Sequence, residues 1–200
     1  MRRLRSLLAA LLLLVVLPGQ TRAQTMVTPF VGAAFDKDTH DGARSLYGIA
    51  GGYWPAGPIG LEVEYAYHPD FFPPHHPDGD HHVVGHLETL SVNLAVGAPF
   101  GGREGPGVRP YLTGGLVLFQ IRADEPSSLF DVRGTDVGFN AGGGAIVFLG
   151  DHVGIRGDVR YLKNERGRVF ATTRDPVHGT TVAFDGFGFT RATAGIVWRF

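Results

Sequence analysis

The 200-residue chain has no cysteine. That excludes a disulfide scaffold, a lipid-anchored N-terminal cysteine and any thiolate metal site. After residue 24 no run of 18 apolar residues occurs, so no membrane-spanning helix is expected in that part. No basic tract is present either, and nucleic acid is not an expected partner.

What is present begins with MRRLRSLLAALLLLVVLPGQTRAQ. Arg2, Arg3 and Arg5 form a positive start, and Leu7 to Leu17 form an apolar run of 11 residues. The run is short of the ~20 residues a spanning helix needs. The pattern predicts a secretory signal peptide over 1–23, cleaved before Gln24, and a single domain over 24–200. That leader holds four of the 18 basic residues and no acidic ones. The remainder carries 14 basic against 19 acidic side chains, a net charge of −5.

Past residue 24 the hydrophobic period is two. In IGLEVEYAYH, residues 59–68, Ile59, Leu61, Val63, Tyr65 and Tyr67 alternate with Gly60, Glu62, Glu64, Ala66 and His68. A strand sends successive side chains to opposite faces, so one face is greasy and the other polar or small. VGIRGDVRYL, LSVNLAVG and VGFNAGGGAIVF read the same way. The alternation predicts eight strands near 26–35, 44–53, 59–68, 87–97, 109–119, 137–148, 153–162 and 187–200. Their connections run 8, 5, 18, 11, 17, 4 and 24 residues, alternately long and short. This is the pattern of an up-and-down barrel with long loops at one end and short turns at the other. An even strand count puts both termini at the short-turn end.

Alternation alone does not say which face is inside. A soluble barrel puts its apolar face inward; a membrane barrel puts it outward. The greasy faces end in aromatics, among them Tyr65, Tyr67, Tyr161, Trp198 and Phe200. Interfacial girdles do this. The other face holds Gly60, Gly142, Gly144, Gly154 and Gly195 beside charges of both signs. Both features point to a membrane barrel with a narrow polar lumen.

RPYLTGGL at 109–116, VGFNAGGGA at 137–145, GIRGDVRYL at 154–162 and the terminal AGIVWRF resemble the small eight-stranded outer-membrane β-barrel family of the OmpA transmembrane domain and OmpX-like proteins. The resemblance implies an all-β transmembrane barrel with short periplasmic turns and long extracellular loops, in the outer membrane of a Gram-negative-type bacterium. It implies Trp198 and Phe200 as the signal read by the barrel-assembly machinery, periplasmic chaperones as transient partners, and outer-membrane lipid or lipopolysaccharide as surroundings. The wall-anchoring role of longer relatives is not expected, because no further domain follows Phe200.

Eight strands leave an interior just wide enough for side chains. Glu62, Glu64, Arg156, Asp158, Arg160 and Arg191 are the expected lumen ion network. The loop RVFATTRDPVHGTTVAFD, residues 168–185, predicts a protruding hairpin with Phe170 opposite Phe184 and Thr172 opposite Val182. Its open edge could pair with a partner strand, as β-augmentation does.

HPDFFPPHHPDGDHHVVGH, residues 68–86, holds six of the nine histidines. His75, His76, His81 and His82, with Asp70, Asp78 and Asp80 nearby, supply zinc-ligand types. Zinc there is the only cofactor the residues suggest. The spacing matches no established metal motif, and the plain alternative is a solvated loop that gains charge as pH falls through about 6 to 7. His68 and His86 stand at the loop base, where two strands could bring them together. Some small outer-membrane barrels are lipid A hydrolases or acyltransferases, which need a serine, a histidine and an acid in reach. Ser127, Ser128, His178 and Asp175 are candidates, but no motif joins them, and Ser45 and Ser91 have no partner nearby in sequence. The expectation is a non-catalytic barrel with a structural, envelope-integrity or surface-interaction role. A narrow channel is the alternative.

Overall fold

A computed structural model of the chain describes residues 23–35, 43–55, 57–72, 84–101, 104–124, 130–164, 167–173, 181–184 and 187–200. The expected leader lies almost wholly outside them. Ten strands run in chain order: β1 Gln24–Phe35, β2 Arg44–Trp54, β3 Ile59–Phe72, β4 Val84–Gly97, β5 Gly107–Asp124, β6 Phe130–Phe148, β7 Val153–Asn164, β8 Gly167–Thr173, β9 Thr181–Phe184 and β10 Gly188–Arg199. There is no helix among the described residues.

Eight of the strands close a barrel in the order β5-β4-β3-β2-β1-β10-β7-β6, and the β5–β6 ladder seals it. Every ladder is antiparallel. Closure leaves none of these strands with an unpaired edge along the wall, which a lipid-facing backbone requires. Greasy side chains point out: Leu112, Leu116, Val31 and Leu61 are each more than half exposed. Glu62, Asp158, Arg160 and Arg191 point in and are buried. The face assignment made from alternation is the observed one.

The strands overrun their expected ends at the long-loop end. β5 and β6 pair without a register shift from Gly107↔Phe148 to Asp124↔Asp131. What reads as a 17-residue loop in the sequence is mostly hairpin. The polar stretches QIRAD and FDVRG keep the ladder going, because pairing needs backbone groups and not apolar side chains. β3 and β4 likewise extend to Phe72 and Val84. β8 and β9 lie outside the barrel and continue the sheet from β6. A wall therefore rises on one side of the barrel mouth.

The predicted hairpin exists, but its register differs. Phe170 pairs with Thr181, Val169 with Val182, and Gly167 with Phe184. The near-mirror symmetry of VFATT and TTVAF placed the partners three residues away. An odd slip sends every side chain to the other face. Symmetry within the hairpin ignores the second ladder that β8 makes on β6, from Phe130↔Thr173 to Val132↔Ala171.

Glycine lets the wall close tightly over large neighbours. A Cβ on Gly60 would stand 2.5 Å from the Trp54 ring. One on Gly142 would stand 2.2 Å from the Val159 carbonyl oxygen and 2.7 Å from Arg160 Cα. The Gly142 contact is backbone, which cannot swing away. Gly142→Ala is expected to destabilise the barrel by about 1–3 kcal/mol, as overpacking does. Gly57, with nothing within 4 Å of its Cβ position, is the neutral comparison for Ala substitution. Urea unfolding of both variants in lipid vesicles checks the difference.

Candidate functional site: the filled lumen

β3 and β7 are four places apart in a ring of eight strands, so they stand on opposite sides of the lumen. Period two puts Glu62 and Glu64 inward on one and Arg156, Asp158 and Arg160 inward on the other. Their side chains meet across the diameter. Arg156 Nη1 donates to Glu62 Oε2 at 2.5 Å, and Arg160 Nη2 to Glu62 Oε1 at 2.7 Å. Asp158 Oδ2 accepts from Arg156 Nη2 at 2.8 Å, Arg160 Nη2 at 3.0 Å and the Tyr111 hydroxyl at 2.8 Å. Its Oδ1 accepts from Thr193 Oγ1 at 3.0 Å. Arg191, from the neighbouring β10, donates to Glu64, and Arg160 Nη1 lies 3.3 Å from Glu64 Oε2. All six residues of the sequence-predicted network come together.

Three carboxylates face three guanidiniums. That balance matters because one unpaired ion in such a site costs several kcal/mol. Beside the ions runs a neutral relay. Asn140 Nδ2 donates to Asn93 Oδ1 at 2.8 Å, and Asn93 Nδ2 donates to Ser91 Oγ at 3.2 Å and to Glu62 at 3.4 Å. Ser91 is thus bound into the lumen, while Ser45 is exposed on the outer face.

Two apolar clusters close the lumen above and below the ions, and the sequence reading missed both. Met26, Trp54, Ala95, Ile146, Phe148 and Val197 fill the short-turn end. Phe71, Leu87, Phe119, Leu162 and Phe189 are prominent in the cluster at the long-loop end. The Phe71 and Phe189 ring centroids are 4.8 Å apart. Most of these residues share their strand phase with a lumen charge, as Phe189 does with Arg191 and Leu162 with Arg160. That phase was the available signal. Phe71 is out of phase with Glu62 and Glu64, and a register shift between His68 and Phe72 turns it inward. The Arg44 guanidinium donates to the Phe71 carbonyl and fixes the bulge to β2. Between the ions and the lower cluster a void of about 10 Å³ remains, lined by Thr28, Trp54, Glu62, Tyr111 and Arg156 among others. That is room for one water.

His68 and His86 do not come together. His68 pairs with Leu87 and points into the lumen, fully buried, with neither ring nitrogen hydrogen-bonded. His86, one residue further on β4, falls on the opposite face and lies 4.0 Å from Glu88. The candidate zinc ligands His75, His76, His81, His82, Asp78 and Asp80 lie outside the described residues, as do Ser127, Ser128, Asp175 and His178. Among the described residues no three His, Asp or Glu side chains are grouped to hold a metal ion. Trp198 and Phe200 stand on the outer face, 40% and 75% exposed.

A family model for the outer membrane protein beta-barrel domain matches residues 7–200. None of the curated proteins matches the chain. Solved barrels do. The N-terminal β-barrel domain of Pseudomonas aeruginosa OprF is 17% identical at a TM-score of 0.57, over 88% of this chain and 97% of that one. Neisserial surface protein A is 14% identical at 0.60, over 92% and 100%. Ail, the attachment invasion locus protein of Yersinia pestis, in complex with the heparin analogue sucrose octasulfate, is 10% identical at 0.55, over 89% and 98%. The closed eight-stranded wall, its lipid-facing greasy side and the family match together establish that the chain belongs to the outer membrane protein beta-barrel domain family.

Proposed function

We propose that this barrel is a sealed, non-catalytic membrane platform that works through its extracellular end. The filled lumen carries this reading. Six paired ions bridge its diameter, apolar clusters close it above and below, and the void between holds about one water. Conduction through such a lumen requires the ion pairs to part first, so the narrow-channel alternative is the weaker reading. Family barrels carry long loops outside and short turns in the periplasm. The wall built from β5, β6, β8 and β9 is then extracellular, and among the described residues β9 pairs only with β8. A protruding sheet with one open edge suits contact with a partner at the cell surface.

The refolded barrel is expected to give no stable porin-sized conductance in planar bilayers. Such a conductance would overturn the sealed-lumen reading. Arg160→Ala strands Glu62, Glu64 and Asp158 with fewer partners, and a loss of about 3–5 kcal/mol in unfolding free energy is expected, still without a large pore. The same bilayer and urea measurements check both. A strain lacking the chain separates the structural role from the surface role. If complementation with a barrel shortened by residues 168–185 restores resistance to detergent, the barrel body suffices for envelope integrity. If only the full chain restores it, the extracellular wall carries the function.

A further inference from the structure

His68 takes no part in the ion layer. It is fully buried, and neither ring nitrogen has a hydrogen-bond partner among the described residues. A neutral imidazole carries one N–H and one lone pair, so a donor and an acceptor are both left unmet. Water would satisfy both. The strands put His68 above the membrane. Tyr65, Leu90, Leu118 and Val137 share a rung at the outer edge of the greasy band. His68 stands three residues further along β3, about 10 Å outward. Its surroundings are aromatic. The Phe71 and Phe189 rings are nearly perpendicular to it, with centroids 5.5 and 5.6 Å away. Phe119 and Phe187 stand behind them, 5.3 Å apart. The bulge that turns Phe71 inward also places it in this cage, beside His68.

The charged groups around this cage serve other partners. On β3 itself, Glu64 takes Arg191 from β10 and lies 3.3 Å from Arg160 of β7. Arg44 of β2 donates to the Phe71 carbonyl. Asp136 of β6 accepts from Asn164 at 2.7 Å. β4 and β5 bring Leu87 and Phe119, which do not titrate. No carboxylate is therefore at hand for an imidazolium, and Arg191 repels one. Burial first, and then the Arg191 charge, push the His68 pKa down to about 3. An imidazole released into water regains its ordinary pKa of about 6.5. The sign follows. Above pH 6.5 neither form holds the proton, and the closed cage keeps its full stability. Below it only the released form holds one, so the ratio of released to closed rises about tenfold per pH unit until the closed form also titrates.

We propose that His68 is an acid-released latch on the outer mouth of the lumen: in acid it takes a proton, leaves the phenylalanine cage for water, and opens the upper apolar layer while the ion layer beneath stays closed. The latch concerns the outer layer alone, so it stands or falls separately from the conductance of the whole lumen. Hydrogen–deuterium exchange of the refolded full chain in detergent, followed by mass spectrometry, tests it. The parent is compared with His68→Phe, which fills the cage without titrating, and with His68→Gln, which stays polar without titrating. Comparison at each pH cancels the intrinsic chemistry of amide exchange and the titration of the other histidines. From pH 7 to pH 4.5 the parent-to-variant ratio of exchange rates is expected to rise about a hundredfold in residues 64–72 and 84–90. In residues 107–113 and 153–158, at the short-turn end, the ratio is expected to stay flat. A flat ratio at the mouth, or an equal rise at both ends, overturns the proposal. If neither variant folds, the His68 ring resonances of the parent decide the matter. A ring that keeps its neutral signal in the closed barrel while the mouth amides lose protection in acid supports the latch. A ring that titrates near pH 6.5 with the mouth amides still protected overturns it.

Discussion

Charge neutralisation across the lumen diameter is the constraint on which the rest of this barrel depends. Glu62 on one wall takes hydrogen bonds from Arg156 and Arg160 on the opposite wall. Neither side could keep its ions alone, since both are buried in the lumen and an unpaired buried charge costs several kcal/mol. The pairs therefore fix more than a local contact. They hold together strands four places apart in the ring, which no ladder hydrogen bond does. They also set where small residues must fall. Gly142 and Gly144 lie opposite Arg160 and Asp158 in the β6–β7 ladder, and a Cβ at either glycine would strike that strand's backbone.

The apolar clusters depend on the same constraint. An ion pair gains strength as water is excluded from it, and the Trp54–Phe148 and Phe71–Phe189 groups exclude water from each end. Cations also tie the lower cluster to the wall. The Arg109 guanidinium lies 5.0 Å from the Trp54 ring centre, and Arg199 lies 4.1 Å from that of Phe148. The Arg199 Nε also donates to the Asp151 carbonyl at 2.6 Å and so pins the β6–β7 turn under the barrel. A lumen organised in this way is a three-layer solid: apolar, ionic, apolar.

The barrel and its ion network were legible because both follow from one rule, the two-residue period of a strand. Glu62 and Glu64, or Arg156, Asp158 and Arg160, declare their shared face by spacing alone. Three things were not legible, each for a physical reason. Strand ends were hidden because a ladder continues through polar residues such as Gln120 and Asp131 once its backbone partners are in place. The hairpin register was hidden because β8 answers to β6 as well as to β9. Phe71 was hidden because a bulge breaks the period, and nothing in FFPP announces on which side of the break a ring will fall. His68 shows the same limit from another side. It was read with the loop histidines by proximity in sequence, but its phase put it among the lumen rings, 5.6 Å from Phe189.

Lipid and water impose opposite demands on the two ends of one outer face. Up to the Leu118–Val137 rung every outward position on β5 and β6 answers to hydrocarbon, and little but apolar side chains or glycine fits there. Beyond it that demand lapses while the ladder continues, so polar and charged residues follow the apolar ones along the same two strands. The lumen has no such freedom: its net charge must stay near zero and its volume is already filled. Variation that does not unfold the barrel is therefore confined to the rungs above the membrane and the loops they carry. A charge on that face at or below the Leu118–Val137 rung would sit in hydrocarbon, and inside the lumen an arginine needs buried partners, such as the Glu64 carboxylate that Arg160 and Arg191 share or the Gln24 side chain and Trp54 ring that receive Arg109.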